Sequence, residues 1–193
     1  MKSVCVFCGS NAGDLPQFAQ AAQALGRAVA VRGHRLVYGG GRIGLMGICA
    51  DTALEMGGQV LGVIPRNLFR REIVHDGLSE LRVVDTLLER KAIMIEHSHA
   101  CIVLPGGYGT LDELFEVLTW TQLGIRARPT GLVNVDGFYD RLIDLLDTMV
   151  DRGFLRPAHR ALLQVDTDAG ALLDRLLPPG PAGGDASRRA LPA

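Results

Sequence analysis

The sequence contains few aromatic residues, almost no lysine and no excess of either charge, and these shortages exclude several classes of protein. Of its 193 residues 5% are aromatic and 48% hydrophobic, the formal net charge is −1, and the basic residues other than Lys2 and Lys91 are arginine. A near-neutral chain lacks the basic surface that general nucleic-acid binding needs. We therefore expect a small-molecule partner, no nucleic acid, and one compact domain with a sizeable core.

Long apolar runs and a disulfide framework are also lacking. No uncharged apolar run reaches the about 18–20 residues that a membrane span needs, and the opening MKSVCVFCGS has no secretory signal pattern. We expect a cytoplasmic protein with no membrane partner. Four cysteines are too few for a disulfide scaffold. Cys5 and Cys8 form a C-x-x-C, but residues three apart in a strand point to opposite faces and no second pair completes a zinc site, so we predict buried thiols and no metal.

Short β-rich runs alternate with helical stretches along most of the chain. Continuous apolar strands separated by helices are typical of a parallel sheet covered on both faces, since right-handed crossovers place helices on each side. The pattern predicts a single α/β domain with a Rossmann-like, doubly wound parallel sheet. The predicted strands are 3–8, 35–38, 59–65, 81–85, 100–105 and 130–135, and the predicted helices are 15–32, 45–56, 86–97, 110–123, 139–151 and 168–177.

Two segments do not fit this alternation. Residues 66–80 carry three arginines without a clean hydrophobic period, which indicates a surface segment. Residues 178–193 are rich in proline and glycine and have almost nothing to bury, so we expect a disordered tail that follows a domain spanning 1–177.

Three glycine-rich turns follow predicted strands, at 8–13, 39–44 and 105–110. Ligands of open parallel sheets bind beyond the carboxyl ends of the strands, where the amides of helix N-termini meet the cleft, and glycine lets a backbone approach an anion closely. One such turn is equally well explained by a tight helix entry, whereas three on one edge favour a phosphate site. In the first two turns the predicted binding residues are Gly9, Ser10, Gly40 and Gly41.

The second turn also matches the dinucleotide fingerprint G-x-G-x-x-G through Gly39, Gly41 and Gly44. A nicotinamide site needs an acidic residue at the end of the next strand to bind the ribose hydroxyls, and QVLGVIP at 59–65 offers none. An NADP variant that uses Arg66 remains as an alternative.

The third turn runs into a helix as PGGYGTLDE at 105–113, the most informative stretch of the sequence. The amides of 107–110 and the Thr110 hydroxyl can surround a phosphate at a helix N-terminus. Glu113, Glu116 and Thr119 share one helical face. Carboxylates beside an anion repel it, so they need another purpose, such as binding ribose hydroxyls or stabilising a cationic transition state. Alternatively, Thr110-x-x-Glu113 is a capping box that only closes the first helical turn.

PGGYGTLDE at 105–113, its continuation LFEVLTWTQLG, Glu89-Arg90-Lys91, CVFCGS at 5–10 and GGGRIGLMG at 39–47 together resemble the Lonely Guy family of cytokinin-activating phosphoribohydrolases. The resemblance covers about residues 3–165 and departs at Asp112, where many relatives carry glutamate. It implies a Rossmann-like homodimer that needs no metal or organic cofactor and hydrolyses the N-glycosidic bond of N6-modified adenosine 5′-monophosphates. The products are the free base and ribose 5-phosphate.

The resemblance also implies roles for individual residues. Arg90 and Glu113 would be catalytic, although Arg90 and Lys91 also fit a solvated helical face. Lys91, Glu72 and Thr119 would bind the nucleotide together with the third turn. In and after the third turn, the predicted substrate-binding residues are Gly106, Gly107, Tyr108, Gly109, Thr110, Leu111, Asp112 and Glu116. A lysine decarboxylase would need a Schiff-base lysine in a pyridoxal setting, and Lys91 next to Arg90 does not provide one.

Glycosidic cleavage builds positive charge on the anomeric carbon and negative charge on the departing base. We expect ionised Glu113 to face the ribose, with Glu116 assisting or holding a hydroxyl, and Arg90 to offset negative charge on the base or the phosphate. Because arginine is a poor proton donor, water is the candidate source of the base's proton. A general purine 5′-monophosphate nucleosidase and a non-catalytic nucleotide or cofactor carrier of the same fold remain as alternatives.

Overall fold

Seven strands form one sheet. The computed structural model describes residues 1–68 and 74–178 of the chain. Every pairing is parallel. The order across the sheet is β4-β3-β2-β1-β5-β6-β7. The strands are β1 Ser3–Phe7, β2 Arg35–Tyr38, β3 Gln59–Pro65, β4 Glu80–Val84, β5 Ala100–Val103, β6 Thr130–Val133 and β7 Leu163–Asp166.

Helices cover both faces of the sheet. Two separate apolar cores result, one beneath α1, α2 and α7 and the other beneath α3, α4 and α5. This arrangement confirms the predicted doubly wound α/β fold. The helices are α1 Pro16–Val31, α2 Gly44–Glu55, α3 Leu87–Glu96, α4 Tyr108–Gln122, α5 Asp140–Asp151, α6 Pro157–Arg160 and α7 Ala169–Leu176, with a short 3-10 turn at Val135–Gly137.

The pleat of β1 shows how the strand sequences build the two cores. Cys5 and Phe7 contribute to the core beneath α3, α4 and α5, while Val4, Val6 and Cys8 contribute to the other. Side chains alternate because successive Cβ atoms of a strand point to opposite faces. Cys5 and Cys8 therefore lie on different sides of the sheet, and all four cysteines are buried free thiols, as predicted.

Three predictions of local structure need correction. The helix predicted from Thr110 begins two residues earlier, at Tyr108. Strand β7 and the single-turn helix α6 were not predicted, because β7 is a four-residue edge strand that is only half-buried. Within the segment 66–80, His75 is buried rather than exposed and hydrogen-bonds to Asp51 over 2.8 Å. Residues 69–73 and 179–193, which include most of the predicted tail, lie outside the described residues.

The strand order reverses between β1 and β5. From β1 the chain continues outward through β2, β3 and β4, and it then returns to the other side of β1 as β5. At such a switch point the connections leave in opposite directions, and a crevice opens beyond the carboxyl ends of the two strands. The first and third glycine turns follow β1 and β5, so they face each other across this crevice. No helix within 1–68 or 74–178 is both long and apolar enough to cross a membrane.

Candidate active site

A cavity of about 370 Å³ occupies the crevice between β1 and β5. Its size lies in the range of about 300–1,000 Å³ that is typical of small-ligand sites. Turn residues after both strands form its floor, and side chains from α1, α2, α3 and α4 close its sides. The lining residues are Cys8, Gly9, Ser10, Asn11, Ala12, Gly13, Phe18, Leu45, Met46, Arg90, Pro105, Gly106, Gly107, Tyr108, Gly109, Thr110, Glu113 and Phe138.

The anion turn, residues 105–110, presents the N-terminus of α4 to the cavity. Gly107 is the N-cap residue, and no side chain of the described residues caps this helix end. The first amides of an α-helix have no partner inside the helix, and the helix dipole makes this end positive. A β-carbon built on Gly107 or Gly109 would meet no atom within 4 Å, so no side chain or neighbouring segment crowds these two glycines. This end of α4 is therefore suited to a phosphate.

The anion turn is tied to the turn after β1. The Gly9 amide donates to the Pro105 carbonyl over 3.0 Å. A β-carbon at Gly106 would overlap the buried Thr110 hydroxyl and lie 2.8 Å from the Gly9 nitrogen, so only glycine fits at this position. The two turns are thus in direct contact, and Ser10 is exposed beside them.

The capping-box interpretation of Thr110 and Glu113 is wrong. Because α4 begins at Tyr108, Thr110 is already the third helical residue and its side chain is buried against Gly106. Glu113 lies one turn further along and lines the cavity. Its carboxylate is therefore not positioned to close the first turn of α4.

Arg90 reaches the cavity from α3 and is buried, with 7% of its surface exposed. Its Nη2 donates to the Gly39 carbonyl over 3.2 Å, and its Nε has no hydrogen-bond partner among the described residues. A buried guanidinium with an unused donor is costly unless another group completes its hydrogen bonds. An anionic or polar ligand in the cavity would supply such a group.

The charges of Glu113 and Arg90 both affect the pKa of the Cys8 thiol, which lines the same cavity. Burial raises the pKa of Cys8 well above its usual value; Cys49 and the charge of Glu113 act in the same direction, and Arg90 opposes them. A raised thiol pKa keeps Cys8 protonated and unreactive near neutral pH. Arg90, Glu113 and the neutral thiol of Cys8 thus all line the same cavity.

Lys91 does not line the cavity but holds α3 against α4. Its Nζ lies 3.0 Å from a carboxylate oxygen of Asp112 and 3.1 Å from one of Glu116. Burial acts to lower the pKa of Lys91, but the two carboxylates outweigh it and leave the pKa raised. The ammonium is thus kept charged, which fixes the helix that carries Arg90 relative to the helix that carries Glu113.

The second glycine turn has a different role from the one predicted. The Leu45 amide at the start of α2 donates to the Gly9 carbonyl, so this helix end is already occupied. Gly40 and Gly41 are buried against the segment that follows residue 73: the Gly40 carbonyl accepts from His75, and Gly41 pairs with Val74. The structure does not bring these two glycines to the cavity.

The remaining predicted residues fall into two groups. The first group lines the cavity and consists of Gly9, Ser10, Arg90, the glycines and Tyr108 of the anion turn, Thr110 and Glu113. Leu111 packs towards the core, Thr119 donates to the Phe115 carbonyl, and Arg66 pairs with Asp85 at the end of β3. These three, and Lys91, Asp112 and Glu116, do not line it. Glu72 lies outside the described residues.

An apolar part of the cavity was missed by the sequence analysis. Phe138, which follows β6, packs edge-on against Phe18 with ring centroids 5.6 Å apart, and Leu45 and Met46 of α2 line the same cavity. The signal was available, since residues just beyond the carboxyl end of a strand next to the switch point are expected near the ligand.

Comparison with known proteins assigns the family. A family model described as a possible lysine decarboxylase matches residues 46–176. The cytokinin riboside 5′-monophosphate phosphoribohydrolase LOG5 of Arabidopsis thaliana is 47% identical over 175 residues, 91% of this chain and 77% of that protein. LOG1 of the same plant is 46% identical over 175 residues, 91% of this chain and 82% of that protein. This chain belongs to the Lonely Guy family. The membership predicted from the motifs is thereby confirmed.

Solved structures support the fold of this Lonely Guy protein. The molybdenum cofactor carrier protein of Chlamydomonas reinhardtii has a TM-score of 0.69 at 22% identity, covering 91% of this chain and 98% of that chain. The molybdenum cofactor binding protein of Rippkaea orientalis has a TM-score of 0.68 at 19% identity, covering 91% of this chain and 95% of that chain. At these identities the likeness concerns the fold alone.

Proposed function

We propose that this protein hydrolyses the N-glycosidic bond of N6-modified adenosine 5′-monophosphates and releases a free cytokinin base and ribose 5-phosphate. One observation supports the proposal: Arg90, Glu113 and the anion turn line the same cavity. Relatives with close to half of their residues identical carry the name of this activity.

The phosphate binds at the start of α4. Backbone amides of Gly107 to Thr110 donate to its oxygens, and the positive end of the helix dipole adds about 0.3–1 kcal/mol. Phosphate binding at a distance from the scissile bond holds the ribose in place for reaction. The nearby Glu113 carboxylate then faces the sugar rather than the phosphate.

Cleavage uses one water molecule. Its oxygen forms a bond to the anomeric carbon while the bond from that carbon to the base nitrogen breaks and its electron pair leaves with the base. Glu113 stabilises the positive charge that develops on the ribose, and Arg90 offsets negative charge on the base or phosphate. Arginine keeps its proton, so the base takes up one proton from water while the attacking water releases one, and the protons balance.

The apolar wall favours a base that carries an apolar N6 substituent. Phe18, Phe138, Leu45 and Met46 give the cavity a surface that a purine and a hydrocarbon group bury on binding. Burial of apolar area contributes about 25 cal/mol per Å². An isoprenoid-sized substituent therefore gains affinity that plain AMP lacks.

Chromatography of released bases tests the function. Purified protein is incubated with AMP and with N6-isopentenyl-AMP, and adenine and N6-isopentenyladenine are measured. We expect both bases, with the modified base released faster. Equal rates indicate a general purine 5′-monophosphate nucleosidase instead. Tight nucleotide binding without release of either base indicates a carrier and contradicts the proposal.

Gly39→Ala tests Arg90 without altering it. The added methyl group would overlap Nη2 of Arg90, a flexible side-chain end that can move aside while the fold persists. We expect kcat/KM for N6-isopentenyl-AMP to fall by about tenfold or more, because small displacements of a catalytic group are costly. The measurement is steady-state kinetics together with a melting curve.

Arg90→Met provides the matched control for Gly39→Ala. If the methyl group acts through Arg90, the double variant is no slower than Arg90→Met alone. Additive losses would mean that Gly39 affects activity by another route.

We also propose that the protein is a cytoplasmic homodimer. Support comes from exposed apolar side chains of α4 and of the loop after α5, among them Phe115, Leu123 and Phe154. Large apolar side chains that stay exposed in one subunit are candidates for burial in a subunit contact. Sedimentation velocity is expected to give twice the chain mass of 20.7 kDa, and a monomer at micromolar concentration would contradict this.

A further inference from the structure

The turn between β6 and α5, residues 134–140, has a conformation that its own side chains fix. Asp136 and Gly137 both have positive φ, 51° and 70°. The Asn134 side chain accepts from the Tyr139 amide over 2.8 Å and donates to a carboxylate oxygen of Asp140 over 2.7 Å. A non-glycine residue with positive φ persists only where its surroundings hold it there. The turn therefore sets the direction in which Phe138 and Tyr139 point.

Tyr139 points inward to the anion turn, whereas Phe138 lines the cavity. Tyr139 is 3% exposed, and its hydroxyl donates to the Leu104 carbonyl over 2.8 Å. Burial raises the pKa of Tyr139, and the Gly106 amide beside the phenol oxygen acts to lower it. The hydroxyl therefore lies beside Pro105 and is anchored to the residue that precedes the proline.

The backbone groups of the anion turn divide into fixed ones and open ones. The Leu104 carbonyl accepts from Tyr139, and the Pro105 carbonyl accepts from Gly9. Proline has no amide hydrogen to satisfy. The groups that remain for a ligand are the amides from Gly107 onwards, which the α4 N-terminus leaves without intrahelical partners.

We propose that Tyr139 is a positioning residue that holds the anion turn in its phosphate-binding conformation from outside the cavity. The inference rests on the proposed function for its substrate, but the contact it describes lies in the backbone of the turn. Without the phenol hydroxyl, the Leu104 carbonyl loses its buried partner and the turn gains alternative conformations, so the amides are no longer aligned before phosphate arrives.

The test compares Tyr139→Phe with Thr130→Val and with the wild type. Thr130 begins the strand that leads to Tyr139, is fully buried, and its hydroxyl likewise donates to a backbone carbonyl, that of Arg128, over 2.9 Å. Each substitution removes one buried hydroxyl at nearly constant shape. Calorimetry gives the Kd of ribose 5-phosphate, and steady-state kinetics gives kcat and KM for N6-isopentenyl-AMP and the rate on its riboside.

Tyr139→Phe is expected to raise the Kd of ribose 5-phosphate and the KM of the monophosphate by about tenfold, the effect of one lost hydrogen bond of about 1.4 kcal/mol. The kcat should stay within about twofold, and the riboside rate should not change, because positioning for phosphate does not serve a substrate without phosphate. Thr130→Val should match the wild type in all of these quantities.

Two results would overturn the inference. Wild-type affinity for ribose 5-phosphate in Tyr139→Phe would show that the turn keeps its shape without the hydroxyl. An equal loss on monophosphate and riboside would show a general packing defect. If the wild type binds ribose 5-phosphate but releases no base, the proposed function fails while the calorimetric comparison still decides the role of Tyr139.

Discussion

Glu113→Gln is expected to reduce kcat for N6-isopentenyl-AMP by at least about 10²-fold while the protein folds and binds phosphate normally. Glutamine keeps the size and hydrogen-bonding reach of the side chain but carries no charge. It therefore cannot stabilise the positive charge of the ribosyl transition state, whereas the amides of Gly107 to Thr110 are untouched. Steady-state kinetics, a melting curve and the Kd of ribose 5-phosphate separate these effects.

Glu96→Gln is the matched control for this substitution. Glu96 ends α3, is exposed, and pairs loosely with Arg126 over 3.5 Å. Exposed pairs of this kind contribute about 0–1 kcal/mol, so the control should keep wild-type kinetics and nearly wild-type melting. Near-normal turnover in Glu113→Gln, accompanied by a lowered melting temperature, would mean that Glu113 has a structural role only.

The 5′-phosphate is expected to raise kcat/KM by at least about 10²-fold over the plain riboside of the same base. A phosphate in the anion turn accepts charge-assisted hydrogen bonds that contribute about 1.5–3 kcal/mol each. Two of them suffice for this factor, and part of that binding energy is used to align the ribose with Glu113. N6-isopentenyladenosine and its 5′-monophosphate are compared under identical conditions.

A control for this comparison comes from competition. Ribose 5-phosphate should inhibit hydrolysis of the monophosphate competitively, and ribose should not, because the anion turn recognises the phosphate. Equal kcat/KM values for riboside and monophosphate would contradict a phosphate-binding site at the start of α4.

The sheet could be predicted from sequence because its central strands are continuous apolar runs. β1, β3 and β5 are buried on both faces and lie between helices, which is the pattern of a doubly wound sheet. β7 escaped prediction because it pairs on one side only and half-buries three of its four residues, so it lacks a comparable apolar run.

The functional motifs could be predicted more readily than their partners. The glycine turns and Glu113 follow from local spacing, and the switch point of the sheet brings the first and third turns together. The second turn has the same composition, yet the α2 amide of Leu45 is bound by the Gly9 carbonyl, a contact between separate turns. Composition alone does not reveal which helix N-terminus stays open.

Long-range hydrogen bonds account for the residues that sequence analysis missed. The Tyr139 hydroxyl donates to the carbonyl of Leu104, which lies 35 residues earlier in the chain, and no local sequence pattern predicts that hydrogen bond. The ion pairs of Lys91 with Asp112 and Glu116 likewise join two helices. Lys91 was expected among the substrate ligands from the family resemblance, and Asp112 and Glu116 from their place beside the third turn. In the structure their ion pairs hold together the helices that carry Arg90 and Glu113.

A crystal structure of the Glu113→Gln protein with AMP shows where the phosphate binds, since slow turnover preserves the nucleotide. We expect phosphate oxygens about 3 Å from the amide nitrogens of residues 107–110, with the anomeric carbon turned towards residue 113. A nucleotide bound elsewhere, for example in the cleft of Lys2, Arg32 and His34 at the opposite end of the sheet, would contradict this expectation.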